Sequence, residues 1–229
     1  MKILSIESAS VTASCAVAED ENILGEYTLR HKKTHSEKLM PLIEDLMREL
    51  KLKIDDINYI AVSRGPGSYT GLRIGAAIAK SIAFAAGIEI IGVPTMKSLA
   101  ANLYVEDKLI VPVMDARGGR VYTGIYRWEN NECTDLKDQF PCNIDELIEI
   151  LKDYEEPIIF NGDGSVNYRE KIENTLKKKA YFAPEVFNYL KASTLACVAY
   201  KMAARRETVP AEAFKPQYLR LSQAERNKK

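Results

Sequence analysis

Four glycines and a proline fall within thirteen residues, Ser63 to Gly75 (Ser-Arg-Gly-Pro-Gly-Ser-Tyr-Thr-Gly-Leu-Arg-Ile-Gly), and no other stretch of the chain restricts the backbone as strongly. An apolar run, Tyr59 to Val62, precedes it with the look of a buried strand. An alanine-rich run, Ala76 to Ala86, follows it and reads as a helix closed by Gly87. The stretch is therefore a strand, tight turn, helix junction. Glycines there permit unusual backbone angles and close approach, while the N–H groups at a helix start attract anions. The spacing fits neither G-x-x-x-x-G-K-[ST] nor G-x-G-x-x-G, since Leu72 and Arg73 follow Gly71. Spacing alone thus leaves two readings level: a phosphate site, or glycines that let the helix pack tightly on its sheet.

Around this junction the chain alternates strands and helices. Lys2 to Ile6 reads as a strand ending at Glu7, Ser8 to Thr12 as a turn, Ala13 to Ala18 as the hairpin partner and Ile23 to Leu29 as a third strand. Leu39, Leu42, Ile43, Leu46, Met47 and Leu50 make one stripe of an amphipathic helix, with Ser36 as its expected N-cap and Pro41 expected in its first turn. After the junction come a strand at Ile88 to Val93 and a short helix from Thr95 to Tyr104. Then the opening pattern returns: the strand Leu109 to Met114 ends in an acid, Asp115, and a small-residue turn leads into Val121 to Tyr126. Two such units about a hundred residues apart predict a duplicated α/β architecture, with lobes at 1–104 and 105–229. Helices at Ile144 to Leu151 and Ser193 to Arg205, a strand at Pro157 to Phe160, and an extended tail docked through Phe214 and Tyr218 complete the reading.

Charge and cysteine content narrow the function classes. Lys plus Arg and Asp plus Glu number 32 each in 229 residues, which gives no support to a surface that grips nucleic acid unaided. The four cysteines, at 15, 133, 142 and 197, lack zinc spacing and read as reduced thiols; with no signal-peptide pattern and no apolar run free of charges, the expectation is a soluble cytoplasmic protein without a membrane segment.

Candidate chemistry is sparse. His31 and His35 lie four apart but beside Lys32 and Lys33, a poor cation site, so no metal is assigned. Glu7 and Asp115 either face one another across a cleft, holding a metal or a water, or cap their own turns. Ser68 does not sit in G-x-S-x-G, and no serine nucleophile is assigned. The alanine-rich helix from Ile74 has almost no polar face, and Gly71, Gly75 and Ala79 are spaced to admit a second helix. Together with the Leu39 to Leu50 stripe it offers a two-helix apolar surface. That surface either covers the chain's own sheet or meets a partner through His35, Leu39, Met40, Ile43, Met47, Arg73, Ile74, Ala77 and Lys80.

Several segments together resemble one family. Ile3-Leu-Ser-Ile-Glu7-Ser8, His35-Ser36 before the amphipathic helix, Arg64 to Gly75, Gly92-Val-Pro-Thr95, Asp115-Ala-Arg117 and Pro216-Gln-Tyr-Leu-Arg220 are similar to the TsaB family, also called YeaZ, along nearly the whole chain. The resemblance implies an actin, Hsp70 and sugar-kinase-like fold of two lobes, each with a β-β-β-α-β-α core. It also implies a role in placing threonylcarbamoyl on the adenosine that follows the anticodon in certain tRNAs. In that scheme the chain is a non-catalytic subunit that binds TsaD, is serviced by the ATPase TsaE, self-associates in isolation through the same surface, and meets tRNA only through the complex. No cofactor is implied for the chain itself, and ATP acts at the level of the complex. Against the kinase pattern of this fold, the turns at Glu7, Ser8, Gly65, Gly67, Ser68, Thr70 and Asp115 read as a degenerate nucleotide site. An ATP-dependent kinase or ATPase is the alternative, a metallopeptidase the more remote one.

Overall fold

The computed structural model describes residues 1–30 and 35–219, with the side chain of His35 also left out. Two compact units emerge. The first joins Met1–Ser98 to the chain from Leu190 onward, and the second is Leu99–Tyr189.

In the first unit, β1 (Lys2–Glu7), β2 (Thr12–Glu19) and β3 (Asn22–Arg30) form an antiparallel meander, and β4 (Tyr59–Gly65) and β5 (Glu89–Pro94) add parallel strands in the order β3-β2-β1-β4-β5. In the second, β6 (Leu109–Asp115), β7 (Arg120–Glu129) and β8 (Glu132–Asn143) repeat the meander. There β9 (Ile158–Asn161) and β10 (Ala180–Phe182) add the parallel strands, in the order β10-β9-β6-β7-β8. The two sheets have the same connectivity, so the repeat seen around Glu7 and Asp115 is a true architectural duplication.

The central strand β1 is buried on both faces because helices cover both. Helices α1 (His35–Glu49) and α2 (Tyr69–Ala86) lie on the face to which β1 presents Leu4 and Ile6. Leu39, Ile43 and Leu46 of α1 and Ala76, Ala79 and Ala83 of α2 join them in one core. A short helix α3 (Thr95–Ala100) leads into the second unit, where α4 (Ile144–Lys152), α5 (Asp163–Asn167) and α6 (Arg169–Leu176) follow. There Leu147, Ile148 and Leu151 of α4 and Ile172 of α6 pack on Val111, Val113 and Ile125. The last helix, α7 (Ala192–Ala204), returns to the first unit and lies across its sheet, where Ser5 Oγ donates to the Ala192 carbonyl at 2.8 Å.

Several expectations are corrected. The α2 helix begins at Tyr69, inside the glycine-rich motif, with Ser68 as its N-cap accepting from the Gly71 N–H; Gly87 closes it in a left-handed conformation. Ser36 lies within α1 and does not cap it. Pro41 sits in the second turn, where the carbonyl it leaves without a donor belongs to solvent-exposed Glu37. The helix from Thr95 stops at Ala100. The chain beyond Leu190, assigned from sequence to the second lobe, belongs to the first unit.

The return of α7 depends on a cap supplied by other strands. Its own N-cap residue, Lys191, makes no side-chain cap. Instead Ser14 Oγ on β2 accepts from the Ala192 N–H at 3.1 Å, and Glu26 Oε1 on β3 accepts from the Ser193 N–H at 3.0 Å. A carboxylate at a helix start is also favoured by the helix dipole. Glu26→Ala is therefore expected to lower stability by about 1–2 kcal/mol in urea unfolding and to speed amide exchange at Ala192 and Ser193. An unchanged midpoint with unchanged exchange would show that α7 needs no such cap.

Candidate functional site

The glycine-rich motif folds against the first hairpin turn. At Gly71 and Gly75, a side-chain carbon would collide with the carbonyl oxygen and the hydroxyl of Ser8, and at Gly67 it would come within 2.8 Å of the Ala9 methyl. Their absence lets the start of α2 lie directly on the β1–β2 turn. Hydrogen bonds then tie the two together: Ser68 N–H donates to the Ala9 carbonyl at 2.7 Å, and Ser8 Oγ donates to the Gly71 carbonyl at 2.9 Å. Tight packing, one of the two readings left open by spacing, is what these glycines accomplish. Gly71, Gly75 and Ala79 are buried against their own chain and admit no second helix.

Glu7 lies at the centre of this arrangement, fully buried. Its Oε1 accepts from the Ala9 N–H at 2.6 Å, and its Oε2 accepts from the Ser63 hydroxyl at the end of β4. Burial raises its pKa from 4.5 to about 7, opposed by the Ser63 hydroxyl and the amides of Ala9 and Ser8. In the second unit Asp115 occupies the equivalent place. It accepts from the Arg117 N–H at 2.9 Å, from the Tyr168 hydroxyl at 3.2 Å and from Asn167 Nδ2 at 3.2 Å. Asp163 in turn accepts from the amides of Asp115 and Gly164, and burial holds its pKa above the usual carboxylate value. Each strand-end acid thus accepts the N–H two residues on, the turn-capping role.

These bonds bear on nucleotide chemistry. The Ala9 amide of the first turn, the Ser68 and Gly71 amides at the start of α2, the Arg117 amide of the second turn and the Gly164 amide of α5 are all engaged within the chain. Ser68 and Thr70 are exposed, and Gly65 and Gly67 flank them. Among the described residues no group of three or more His, Cys, Asp or Glu side chains is placed to hold a metal; His31 lies outside the described residues.

Residues expected at a partner surface divide between two sides of their helices. Leu39 and Ile43 are buried in the core and Met47 and Ile74 are partly covered, whereas Met40 is 37% exposed and Arg73 and Ala77 are open to solvent. Lys80 is partly covered because its Nζ donates to the Glu212 and Phe214 carbonyls, both at 3.2 Å. Phe84, 69% exposed, extends the outer row of α2 and was not singled out from sequence. Its signal lay in the helical period: Arg73, Ala77 and Ser81 mark the outer face, and Phe84 falls on it.

Residues 22–228 match the family model of TsaD, tRNA N6-adenosine threonylcarbamoyltransferase. The chain is 32% identical over 225 residues, 98% of its length and 96% of the relative's, to the tRNA threonylcarbamoyladenosine biosynthesis protein TsaB of Bacillus subtilis. It belongs to the TsaB family. The solved structure of YeaZ from Pseudomonas aeruginosa superposes on this TsaB-family chain with a TM-score of 0.82 and 25% identity, over 95% of this chain and 99% of that one. A ROK hexokinase from Thermus thermophilus, 12% identical, shares the fold alone, with a TM-score of 0.52 over 90% and 100% of the two chains. The actin and sugar-kinase-like fold implied by the sequence is therefore the fold of this TsaB-family protein. None of its described helices is long and apolar enough to cross a membrane.

The buried carboxyl makes a measurable prediction. A folded-state pKa raised above the unfolded value means that the folded chain holds the proton longer, so stability falls as pH rises from about 4.5 through about 7. Glu7→Gln cannot ionise. Its unfolding free energy relative to the parent should therefore rise by about 3 kcal/mol between pH 4 and pH 8. A difference that stays flat over that interval would show that Glu7 does not titrate in the fold.

Proposed function

We propose that this TsaB-family chain is a non-catalytic subunit in tRNA threonylcarbamoyladenosine biosynthesis, and that it acts by binding TsaD through the outer faces of α1 and α2. The observation that carries the proposal is the two-sidedness of α2. Its inner face, Ala76, Ala79 and Ala83, fills the core, while Ala77 and Phe84 stand in solvent on the outer face. An exposed phenyl ring on a helix that is already packed has no structural use within the chain, and burying it against a partner is worth roughly 1.5–3 kcal/mol. Met40 adds to this face from α1, which touches α2. The match to the TsaD family model over residues 22–228 gives further support, because two chains of one fold can bring like helix pairs together about a pseudo-twofold axis. The same face would serve self-association when TsaD is absent.

In this reading the chain needs no cofactor of its own, and ATP belongs to the complex with TsaD and TsaE. Contact with tRNA comes through the complex, and the setting is the cytoplasm. The engaged amides around Glu7 and Asp115 support this division of labour over an ATP-dependent kinase or ATPase. The isolated chain is expected to show no ATP turnover with magnesium at millimolar nucleotide. Turnover abolished by Asp115→Ala would instead establish the enzyme reading.

Ala77→Glu and Met40→Asp test the surface directly. Both sites are open in the monomer, so at concentrations where the isolated chain is monomeric its thermal midpoints should stay within about 2 °C of the parent, as exposed substitutions usually do. Each buried charge should nevertheless weaken co-elution with TsaD by tenfold or more, since an unpaired charge at a dry interface costs several kcal/mol. Full co-elution of both variants would place the TsaD contact elsewhere.

A further inference from the structure

The outer face of α2 continues beyond the helix. Tyr69, in the first turn, accepts a hydrogen bond at its hydroxyl from Arg73 Nη1 at 3.0 Å, and the Arg73 guanidinium carbon lies 5.3 Å from the centre of the Tyr69 ring. The same ring meets Tyr218 of the C-terminal tail, with centroids 4.9 Å apart and planes tilted by 37°. Tyr218 is held there by contacts upstream of it. Gln217 N–H donates to the Arg64 carbonyl at 2.7 Å, Lys80 holds the Glu212 and Phe214 carbonyls, and the buried Phe214 ring lies against Gly92. Phe214 and these backbone bonds anchor the tail upstream of Tyr218. Yet Tyr69 remains 41% exposed and Tyr218 44%, two aromatic rings and an arginine fixed to one another and open to solvent.

We infer that Tyr69, Arg73 and Tyr218 form one end of the partner-binding surface, so that the docked tail is itself part of the interface with the TsaD-type partner; this rests on the reading of α2 given above. Tyr69, Arg73, Ala77 and Phe84 follow at i, i+4, i+8 and i+15, a single row along the helix, and Tyr218 prolongs that row past its N-terminal end. Tyrosine and arginine supply a disproportionate share of binding energy at interfaces, and more so when they are already ordered before the partner arrives. Between Asp56 and Glu89 the sequence holds no carboxylate, so Arg73 at this end of α2 has no acid on its own helix, while Lys80 is held by the Glu212 and Phe214 carbonyls and Glu37 and Glu44 flank Met40 on α1. The complementary partner presents an apolar groove for the tyrosines with a carboxylate opposite Arg73.

Titration calorimetry of the full-length chain against TsaD, with Tyr218→Ala, Tyr218→Phe and Ala77→Glu side by side, separates the possibilities. The expected result is a loss of about tenfold to a hundredfold in affinity for Tyr218→Ala at an unchanged thermal midpoint, with Tyr218→Phe, which keeps the ring, close to the parent. Parental affinity for Tyr218→Ala while Ala77→Glu abolishes binding would confine the interface to the helices. The inference would then fail with the α2 reading intact. Parental affinity for Ala77→Glu would remove the α2 reading itself. A drop in affinity matched by a drop in thermal midpoint would make Tyr218 an internal anchor and overturn the inference.

Discussion

The close approach of α2 to the first hairpin turn is the constraint on which the rest of the first unit depends. Without side chains at Gly67, Gly71 and Gly75, the helix start reaches the Ser8 and Ala9 backbone and seals Glu7 from water. Once sealed, the carboxyl must find donors inside the protein, because an unpaired buried acid is costly. It finds them in the Ala9 amide and the Ser63 hydroxyl, which join the end of β1 to the end of β4. The second unit reaches the same end with different residues. Gly162 and Gly164 let α5 close on Val113 and Asp115, and Asn167 and Tyr168 satisfy the acid. Gly65 and Gly162, at corresponding strand ends, both have positive φ, +113° and +93°, a conformation that side chains oppose.

A shared fold does not carry a shared activity, and the comparison with the hexokinase illustrates why. What decides is whether the turns leave donors free. In this chain each strand-end carboxylate accepts an amide of its own turn, Ala9 for Glu7 and Arg117 for Asp115, so those two N–H groups are taken up within the chain.

Much of this is legible in the sequence alone. The apolar strands β1 and β2, the junction at Ser63 to Gly75 and the repeat of strand, acid and turn all rest on local sequence pattern, and each reappears in the fold. What escaped depends on partners distant in sequence. The β8 strand, Glu-Cys-Thr-Asp-Leu-Lys-Asp-Gln-Phe-Pro-Cys-Asn, has no clean alternation because much of it is an exposed edge held by backbone pairing to β7. The membership of α7 in the first unit rests on Ser14 and Glu26, nearly two hundred residues earlier in the chain. The stripe from Leu39 to Leu50 is one face of α1, but periodicity cannot say whether a face meets its own sheet or another molecule. The structure places Leu39, Ile43 and Leu46 of that stripe inward.

That last ambiguity explains why the surface question turns on α2. On α1 the apolar stripe is consumed by the core, and the outer side keeps Met40 between the exposed acids Glu37 and Glu44. On α2 the fully buried positions of the core are mostly small, Ala76, Ala79 and Ala83, with Ile78 and Ile82 partly covered beside them, while Tyr69 and Phe84 stand on the outer side. Leu72 fits the inner side near the turn; Tyr69 and Phe84 do not. The tail then meets the exposed tyrosine where α2 begins, and Lys80 of α2 holds the Glu212 and Phe214 carbonyls of the tail. The glycines set the tight packing where α2 begins, and the aromatic row on its other face begins at the same end of the helix, with Tyr69.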